Sequence, residues 1–223
     1  MKQINKIHHT IPIRRLGIML GILFTLGIFN FSQAQVGTPS YMNHPGTGAT
    51  ANAFPLNSAT SNKVQWIYAP GAFTTLGSGG GAPLPGGQLL TKIYIKFASA
   101  NATSSYNDLT VSLGQNVGSI PNYTQAPATT GVPFNTGLTT CFYQASGFVF
   151  TGNAAGAWYG ITLQTPFLYD PSLALICEVK CSNTAANGNG VGHITTAGIS
   201  QRLYAGFAAT TGTANTLLAP IGF

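Results

Sequence analysis

The stretch KIYIKF at residues 92–97 alternates polar and apolar side chains without a break. Successive side chains of a β-strand point to opposite faces, so the two isoleucines and the phenylalanine are predicted to share one face. The two lysines and the tyrosine then share the other face. A strand with one apolar and one polar face is typical of an antiparallel sheet that covers a core on one side.

The same two-residue period recurs along the chain, and Gly, Pro, Asn and Ser clusters separate the repeats. Such clusters supply the turns that tight connections between strands need. No stretch after the N-terminal region keeps a 3.6-residue apolar period for three helical turns. These features predict a single-domain, all-β protein built as an antiparallel β-sandwich. Further strands are predicted at residues 64–68, 109–113, 140–150, 159–163, 173–179 and 201–207.

The N-terminal region reads as a signal peptide over residues 1–34. Four basic residues precede the apolar run LGIMLGILFTLGIFNF at 16–31, and Ser32 and Ala34 place small side chains before a cleavage site at Gln35. The run is shorter than the roughly 20 residues that cross a bilayer. We therefore expect export through the signal peptide, an extracellular or cell-surface location, and no membrane span after cleavage.

Few charges remain beyond the predicted cleavage site. Five cations and three acids give a net charge of +2, against +6 for the whole chain. Five scattered cations cannot form the basic stripe that follows a phosphate backbone, so nucleic acid is not expected as a partner. A surface with so little charge offers little repulsion between copies. It suits a protein whose partners are copies of itself or a surface polymer.

The exported part divides into two segments. Residues 35–61 are rich in small polar residues and predict an extended lead-in arm that docks on the domain through Phe54 and Leu56. Residues 62–223 form the predicted β-sandwich domain, and its C-terminal end is apolar. That end is either the last strand of the sandwich or a segment that inserts into a neighbouring subunit. The candidate self-association residues are Leu217, Leu218, Ile221 and Phe223.

The acidic residues do not form a catalytic pattern. Glycoside cleavage needs two carboxyl groups that flank the bond, whereas Asp170 and Glu178 are separated by a predicted strand and Asp108 is isolated. Asp170 precedes Pro171, so turn formation is its expected role. The sequence thus predicts no catalytic residue.

The remaining residues give no cofactor or metal pattern either. His44 and His193 are the only histidines after the signal, and His193 is expected in a solvated loop. Spacings typical of zinc or calcium sites are missing. The Gly-rich run at 77–87 lacks the Gly-Lys-Ser/Thr end of a phosphate-binding loop and is predicted to be a flexible connection. We expect no cofactor and no metal.

The three cysteines, Cys141, Cys177 and Cys181, would allow one disulfide outside the cytoplasm. Cys177 and Cys181 are four residues apart on one predicted strand, about 13 Å, which is too far to bridge. Cys141 is therefore expected to pair with one of them. Cys181 is preferred because Cys177 belongs to the apolar alternation. The remaining cysteine would be a buried thiol or an intermolecular link.

Several aromatic residues are candidates for stacking against a sugar ring. Trp66 and Trp158 lie within predicted strands, so each serves either the core or a ligand platform. Tyr123 lies in a predicted loop and is the third candidate. Tyr41 and Tyr106 belong to the same wider group of aromatics.

A resemblance to a known family rests on six short stretches. They are AFPL at 53–56, VQWIY at 64–68, LTKI at 90–93, AWYGITL at 157–163, TPFLYD at 165–170 and LALICEV at 173–179. In this order they resemble the jelly-roll-type β-sandwich modules of secreted and surface proteins from Bacteroidetes-like bacteria. The resemblance covers most of residues 54–182. It implies a jelly-roll-like sandwich that acts as a noncatalytic accessory or adhesive module.

Together these features predict a secreted, noncatalytic β-sandwich that is a structural or adhesive component of the cell surface or of an extracellular assembly. Self-association is part of this prediction. The alternative is a monomeric carbohydrate-binding module. An enzyme is not expected.

Overall fold

The computed structural model describes residues 33–44, 50–52, 54–58, 60–75, 81–100, 103–116, 129–152, 154–182, 190–195 and 201–223. Residues Gln33–Phe223 form one compact unit. The described residues contain no helix and therefore none that could cross a membrane. The predicted signal peptide lies outside the described residues except for its last two positions, Gln33 and Ala34.

Seventeen strands make up the described part of this unit. They are β1 (Gln33–Val36), β2 (Tyr41–Met42), β3 (Thr50–Asn52), β4 (Asn62–Tyr68), β5 (Thr74–Thr75), β6 (Gln88–Lys96), β7 (Ser104–Asn116), β8 (Thr130–Pro133), β9 (Thr139–Gln144), β10 (Phe148–Phe150), β11 (Trp158–Tyr169), β12 (Ala174–Ser182), β13 (Val191–Thr195), β14 (Arg202–Gly206), β15 (Thr211–Asn215), β16 (Leu217–Leu218) and β17 (Ile221–Gly222).

The strands form two large sheets. Sheet 1 has the order β5-β2-β17-β6-β11-β1. Sheet 2 has the order β7-β12-β4-β14-β15-β8. The edge of β7 that faces away from β12 pairs with β10 along its first residues and with β9 along its later ones. β1 joins the sheets, since Gln33 and Ala34 pair in parallel with β10 while Gln35 and Val36 pair antiparallel with β11. A small third sheet has the order β16-β13-β3.

The pairing follows the jelly-roll order. The central strands of sheet 1 are β2-β17-β6-β11, and those of sheet 2 are β4-β12-β7-β9/β10. Pairs nest in sequence, with β7 against β9/β10, β6 against β11, β4 against β12 and β2 against β17. This nesting is what results when one long antiparallel ribbon folds over into two sheets. The prediction of an all-β, antiparallel, jelly-roll-like sandwich is confirmed.

The core lies between the two sheets, where alternate residues of each strand meet. Ile93 and Ile95 of β6 are fully buried, as the KIYIKF pattern predicts. Edge-to-face aromatic contacts fill the centre, and the rings of Phe97 and Tyr159 are 4.6 Å apart between centroids. A second, smaller core covers the opposite face of sheet 2. It contains Ile67, Phe134, Ala174, Ile176, Leu203 and Ala214.

The described residues of the segment predicted as an arm, residues 35–61, pack on the core and also contribute to the sheets. Leu56 is fully buried, and the Phe54 ring lies 5.0 Å from the Tyr204 ring. The same segment contributes β2 to sheet 1 and β3 to the small sheet. Strands of two or three residues carry too little pattern to be recognised in the sequence, because an alternation needs at least four residues to show.

Candidate functional site

A groove of about 530 Å³ lies along β6 at the end of sheet 1. Five consecutive residues of β6, from Gln88 to Lys92, line it, together with Tyr94. A groove beside one face of a strand would contact every second residue, since alternate side chains point away. Contact with consecutive residues means that this groove runs along the edge of β6. The other lining residues are Ser40, Tyr41, Leu84, Pro85 and Phe223.

The strand arrangement explains why this edge is open. β17 pairs with β6 only at Tyr94 and Ile95, and Pro220 accepts a hydrogen bond from the Lys96 amide. Between Gln88 and Lys92, no described strand pairs with β6 on this side. β11 covers the other side of β6 along its whole length, with a shift in register between Thr162 and Phe167. The groove thus occupies a strand position in sheet 1.

The groove combines an apolar part with a polar part. Leu84 and Leu90 are almost fully buried and belong to the main core, and Phe223 packs against that core. Gln88 and Thr91 are exposed, and Lys92 is half-buried. None of the described lining residues carries a carboxyl side chain. The site can therefore hold a chain with one apolar and one polar side.

Tyr94 lies across the outer face of sheet 1 because two glycines leave room for its ring. A Cβ atom on Gly160 would stand 2.9 Å from Cε1 of Tyr94, and one on Gly37 would stand 3.2 Å from the same atom. The Lys92 ammonium is 5.7 Å from the Tyr94 ring centroid. The Tyr94 ring therefore offers an aromatic surface of the kind that was considered for sugar stacking at Trp66 and Trp158.

An exposed apolar pair flanks the groove. Leu89 of β6 pairs directly with Leu168 of β11, and their side chains are 60% and 63% exposed. Directly opposite residues of an antiparallel pair share one face of the sheet, so the two leucines form one patch. Single exposed leucines need no explanation, but two adjacent ones favour contact with another molecule.

Every lysine and arginine of residues 33–223 lies over an aromatic ring. The distances to the ring centroids are 4.0 Å for Lys63 over Phe134, 5.7 Å for Lys92 over Tyr94, 5.1 Å for Lys96 over Trp158, 5.2 Å for Lys180 over Phe207 and 4.6 Å for Arg202 over Tyr204. Each ring attracts the cation toward its own face. Burial lowers the pKa of Lys63 and Lys96, and it lowers the pKa of Arg202 to about 10. Each of the five cations is therefore positioned by a ring of the fold.

The predicted ligand aromatics are not brought together at one site. Trp66 is 2% exposed and lies in the main core. Trp158 is 8% exposed, and Lys96 covers its ring, so neither tryptophan presents a free face. Tyr123 lies outside the described residues. Both tryptophans therefore occupy core positions rather than a sheet surface.

The four candidate self-association residues lie within the chain's own sheets. Ile221 is fully buried, Leu218 is nearly so, and Leu217 and Phe223 are half-buried. β17 fills the position between β2 and β6, and the rings of Phe223 and Phe73 are 5.0 Å apart. Of the two alternatives for the C-terminal end, the structure shows the last strand of the sandwich. Insertion of these residues into a neighbour would empty the core.

The expected disulfide between Cys141 and Cys181 is wrong, since all three cysteines are buried free thiols. Cys181 belongs to the same inward alternation of β12 as Cys177, so the distinction drawn between them from the sequence does not hold. The Cys141 thiol donates to the Thr139 carbonyl at 3.4 Å, and the Cys181 thiol donates to the Pro55 carbonyl at 3.3 Å. Burial raises the pKa of all three thiols, to about 12 for Cys181.

The acids have structural partners. Asp170 accepts hydrogen bonds from the Ser172 amide at 2.8 Å and the Ser172 hydroxyl at 2.7 Å, which lower its pKa and form the predicted turn. Glu178 accepts a hydrogen bond from Gln65 at 2.8 Å. No group of three or more potential metal-ligating side chains occurs among the described residues.

Asp108 forms a polar cluster that the sequence did not reveal. Its carboxylate accepts hydrogen bonds from the Tyr143 hydroxyl at 3.1 Å and the Ser182 hydroxyl at 2.6 Å. The first of these raises the pKa of Tyr143. The backbone of Asp108 has a φ of 49°, a value that residues other than glycine rarely adopt. The cluster spans three strands of sheet 2, a relationship that no local pattern could show.

His193 differs from its expected position in a loop. It lies in β13 and pairs with Thr50 of β3. The alternation of β13 is too short and too interrupted by glycine to be read from the sequence.

Comparison with family models, curated proteins and solved structures finds no match to this chain.

Proposed function

We propose that this protein is a secreted, noncatalytic β-sandwich that serves as a structural or adhesive component of the cell surface or of an extracellular assembly, and that it associates with copies of itself. The observation that carries the proposal is the exposed pair of Leu89 and Leu168. The resemblance to surface modules of Bacteroidetes-like bacteria and the N-terminal signal pattern support the extracellular location.

The pair suits contact between two copies because it can complement itself. In a two-fold interface, Leu89 of each copy would meet Leu168 of the other copy. Full burial of a leucine contributes about 1.5–3 kcal/mol, and a two-fold contact buries four. Since residues 35–223 carry only five cations and three acids, little charge opposes such a contact.

The experiment compares the oligomeric state of the full chain with that of Leu168→Ser. Sedimentation velocity over a wide concentration range, with negative-stain electron microscopy, should show assemblies of the unaltered protein and smaller species of the variant. Val36→Ser is the matched control, because Val36 is also exposed (56%) but belongs to β1. A protein that stays monomeric at every concentration contradicts the proposal.

A monomeric carbohydrate-binding module is the second candidate, and the groove beside Tyr94 favours it. The Tyr94 ring, the Gln88 amide and the Lys92 ammonium together resemble the aromatic and hydrogen-bonding groups that hold sugars. Binding of a soluble oligosaccharide by a monomeric protein, lost in Tyr94→Ala, would favour this candidate over self-association.

A further inference from the structure

The edge of β6 beside the groove has the properties of a site for strand addition. Gln88 to Lys92 line the groove, and no described strand pairs with them on this side of β6. An open strand edge presents N–H and C=O groups at regular spacing, and another extended chain can pair with them. Five residues of such an edge extend for about 16 Å.

β17 fixes the direction and register of any added strand. It runs antiparallel to β6, with Ile221 opposite Ile95 and Gly222 opposite Tyr94. If β17 continued in this register, its next residues would lie opposite Lys92 to Gln88. That space is the groove. Tyr41 of β2 and Leu84 close the far side. The groove therefore has room for a strand that continues the line of β17, with β6 on one side and β2 on the other.

We propose that an extended peptide strand of a partner molecule binds in this groove, antiparallel to β6 and in line with β17. Its inward side chains are small or apolar, because they meet Leu84, Leu90 and Phe223. Its outward side chains include polar ones, because they lie beside the exposed Thr91 as well as the exposed Leu89. The strand carries no cluster of positive charge, since Lys92 is the charged side chain of the lining.

This inference rests on the proposed adhesive or structural role and names the kind of partner that the role requires. A peptide strand fits better than a saccharide because the groove follows consecutive backbone positions of one strand edge. A sugar platform would instead use ring faces on the surface of a sheet. Tyr94 supplies one such face, at the end of the groove where β17 already pairs.

The first experiment uses a fluorescently labelled, acetylated six-residue peptide that alternates threonine and valine. Fluorescence anisotropy with the full chain should show saturable binding. The control peptide has the same sequence with methylated amide nitrogens at alternate positions, which removes the donors that a β-ladder needs. We expect the control to bind at least about tenfold more weakly. Equal binding of both peptides, or no binding at millimolar concentration, would overturn the proposal.

The second experiment places the same six residues directly after Phe223 in the full chain. If they occupy the groove in cis, the extended protein should no longer bind the free peptide and should melt at a higher temperature. A matched chain carries the same six residues with the three valines first, which breaks the alternation. It should still bind the free peptide. An alternating extension that leaves peptide binding unchanged contradicts the proposal.

The two proposals fail in different ways. If the full chain binds the alternating peptide but remains monomeric at all concentrations, strand addition stands and self-association does not. If Leu168→Ser abolishes self-association while the full chain binds no peptide, the function stands and the strand-addition site does not. Oligosaccharide binding lost in Tyr94→Ala, without peptide binding, also overturns the strand-addition site.

Discussion

The phenol of Tyr68 donates a hydrogen bond to the carbonyl oxygen of Ala219 at 2.9 Å, deep between the two sheets. Tyr68 ends β4 of sheet 2, and Ala219 precedes β17 of sheet 1. The bond therefore ties the C-terminal segment to the opposite sheet. Tyr169 offers a contrast, because its buried hydroxyl has no hydrogen-bond partner among the described residues.

This contrast predicts opposite effects of removing the two hydroxyl groups. Tyr68→Phe should lower the free energy of unfolding by about 1–2 kcal/mol, because it removes the hydrogen bond to the buried Ala219 carbonyl and leaves that carbonyl with one donor fewer. Tyr169→Phe should be neutral or stabilise by up to about 1 kcal/mol, since it removes an unsatisfied donor. Urea denaturation of both variants measures the difference. Equal losses would contradict the assigned bonding.

The buried C-terminal strand predicts a strong dependence of stability on Ile221. Ile221→Ala should lower the free energy of unfolding by about 2–5 kcal/mol, because it opens a cavity at a fully buried position. Leu217→Ala is the control, and its half-buried side chain should lose less. Denaturant unfolding at two protein concentrations is the measurement. A midpoint for Ile221→Ala equal to that of the unaltered chain would show that the segment does not serve the core.

The cysteines should be free and unreactive in the folded protein. Thiolate is the reactive form, and burial raises the pKa of each thiol above 9.0, to about 12 for Cys181. Titration with a thiol reagent at pH 8 should detect few or no thiols in buffer and all three in denaturant without a reductant. Detection of only one thiol in denaturant would indicate a disulfide and contradict the structure.

Buried phenol and thiol groups predict loss of stability in base. Burial raises the pKa of Tyr68 above 10.0 and that of Cys177 above 9.0. The unfolded chain therefore releases protons at a lower pH than the folded chain. The stability that the Tyr68 phenol and the Cys177 thiol contribute is complete below pH 9. As the pH rises beyond these values, the free energy of unfolding falls by up to about 1.4 kcal/mol per pH unit for each group.

Urea denaturation between pH 8 and pH 11 measures this slope. Tyr68→Phe should make the slope shallower above pH 10, because one titrating group is gone. Leu217→Ala serves as the control, since it removes no titrating group and should leave the slope unchanged. An unchanged slope in Tyr68→Phe would mean that Tyr68 does not titrate differently in the folded and unfolded chains.

The amino-acid sequence by itself determined the fold class. Alternation along residues 92–97, 109–113 and 159–163 appears in the structure as β6, β7 and β11. This succeeds because the inward and outward faces of a half-buried strand are encoded by neighbouring residues. The turn role of Asp170 was readable for the same reason, since its partner Ser172 is two residues away.

Tertiary structure alone decided which residues meet. Cys141 and Cys181 are both inward-facing, yet their thiols bond to different backbone carbonyls. The open edge of β6 exists because β17 pairs only with its last part, which depends on strand order across the sheet. Leu89 and Leu168 become one patch only through the register of β6 against β11. A sequence records the period of each strand, but partners far apart in the chain are set by the free energy of packing the whole sandwich.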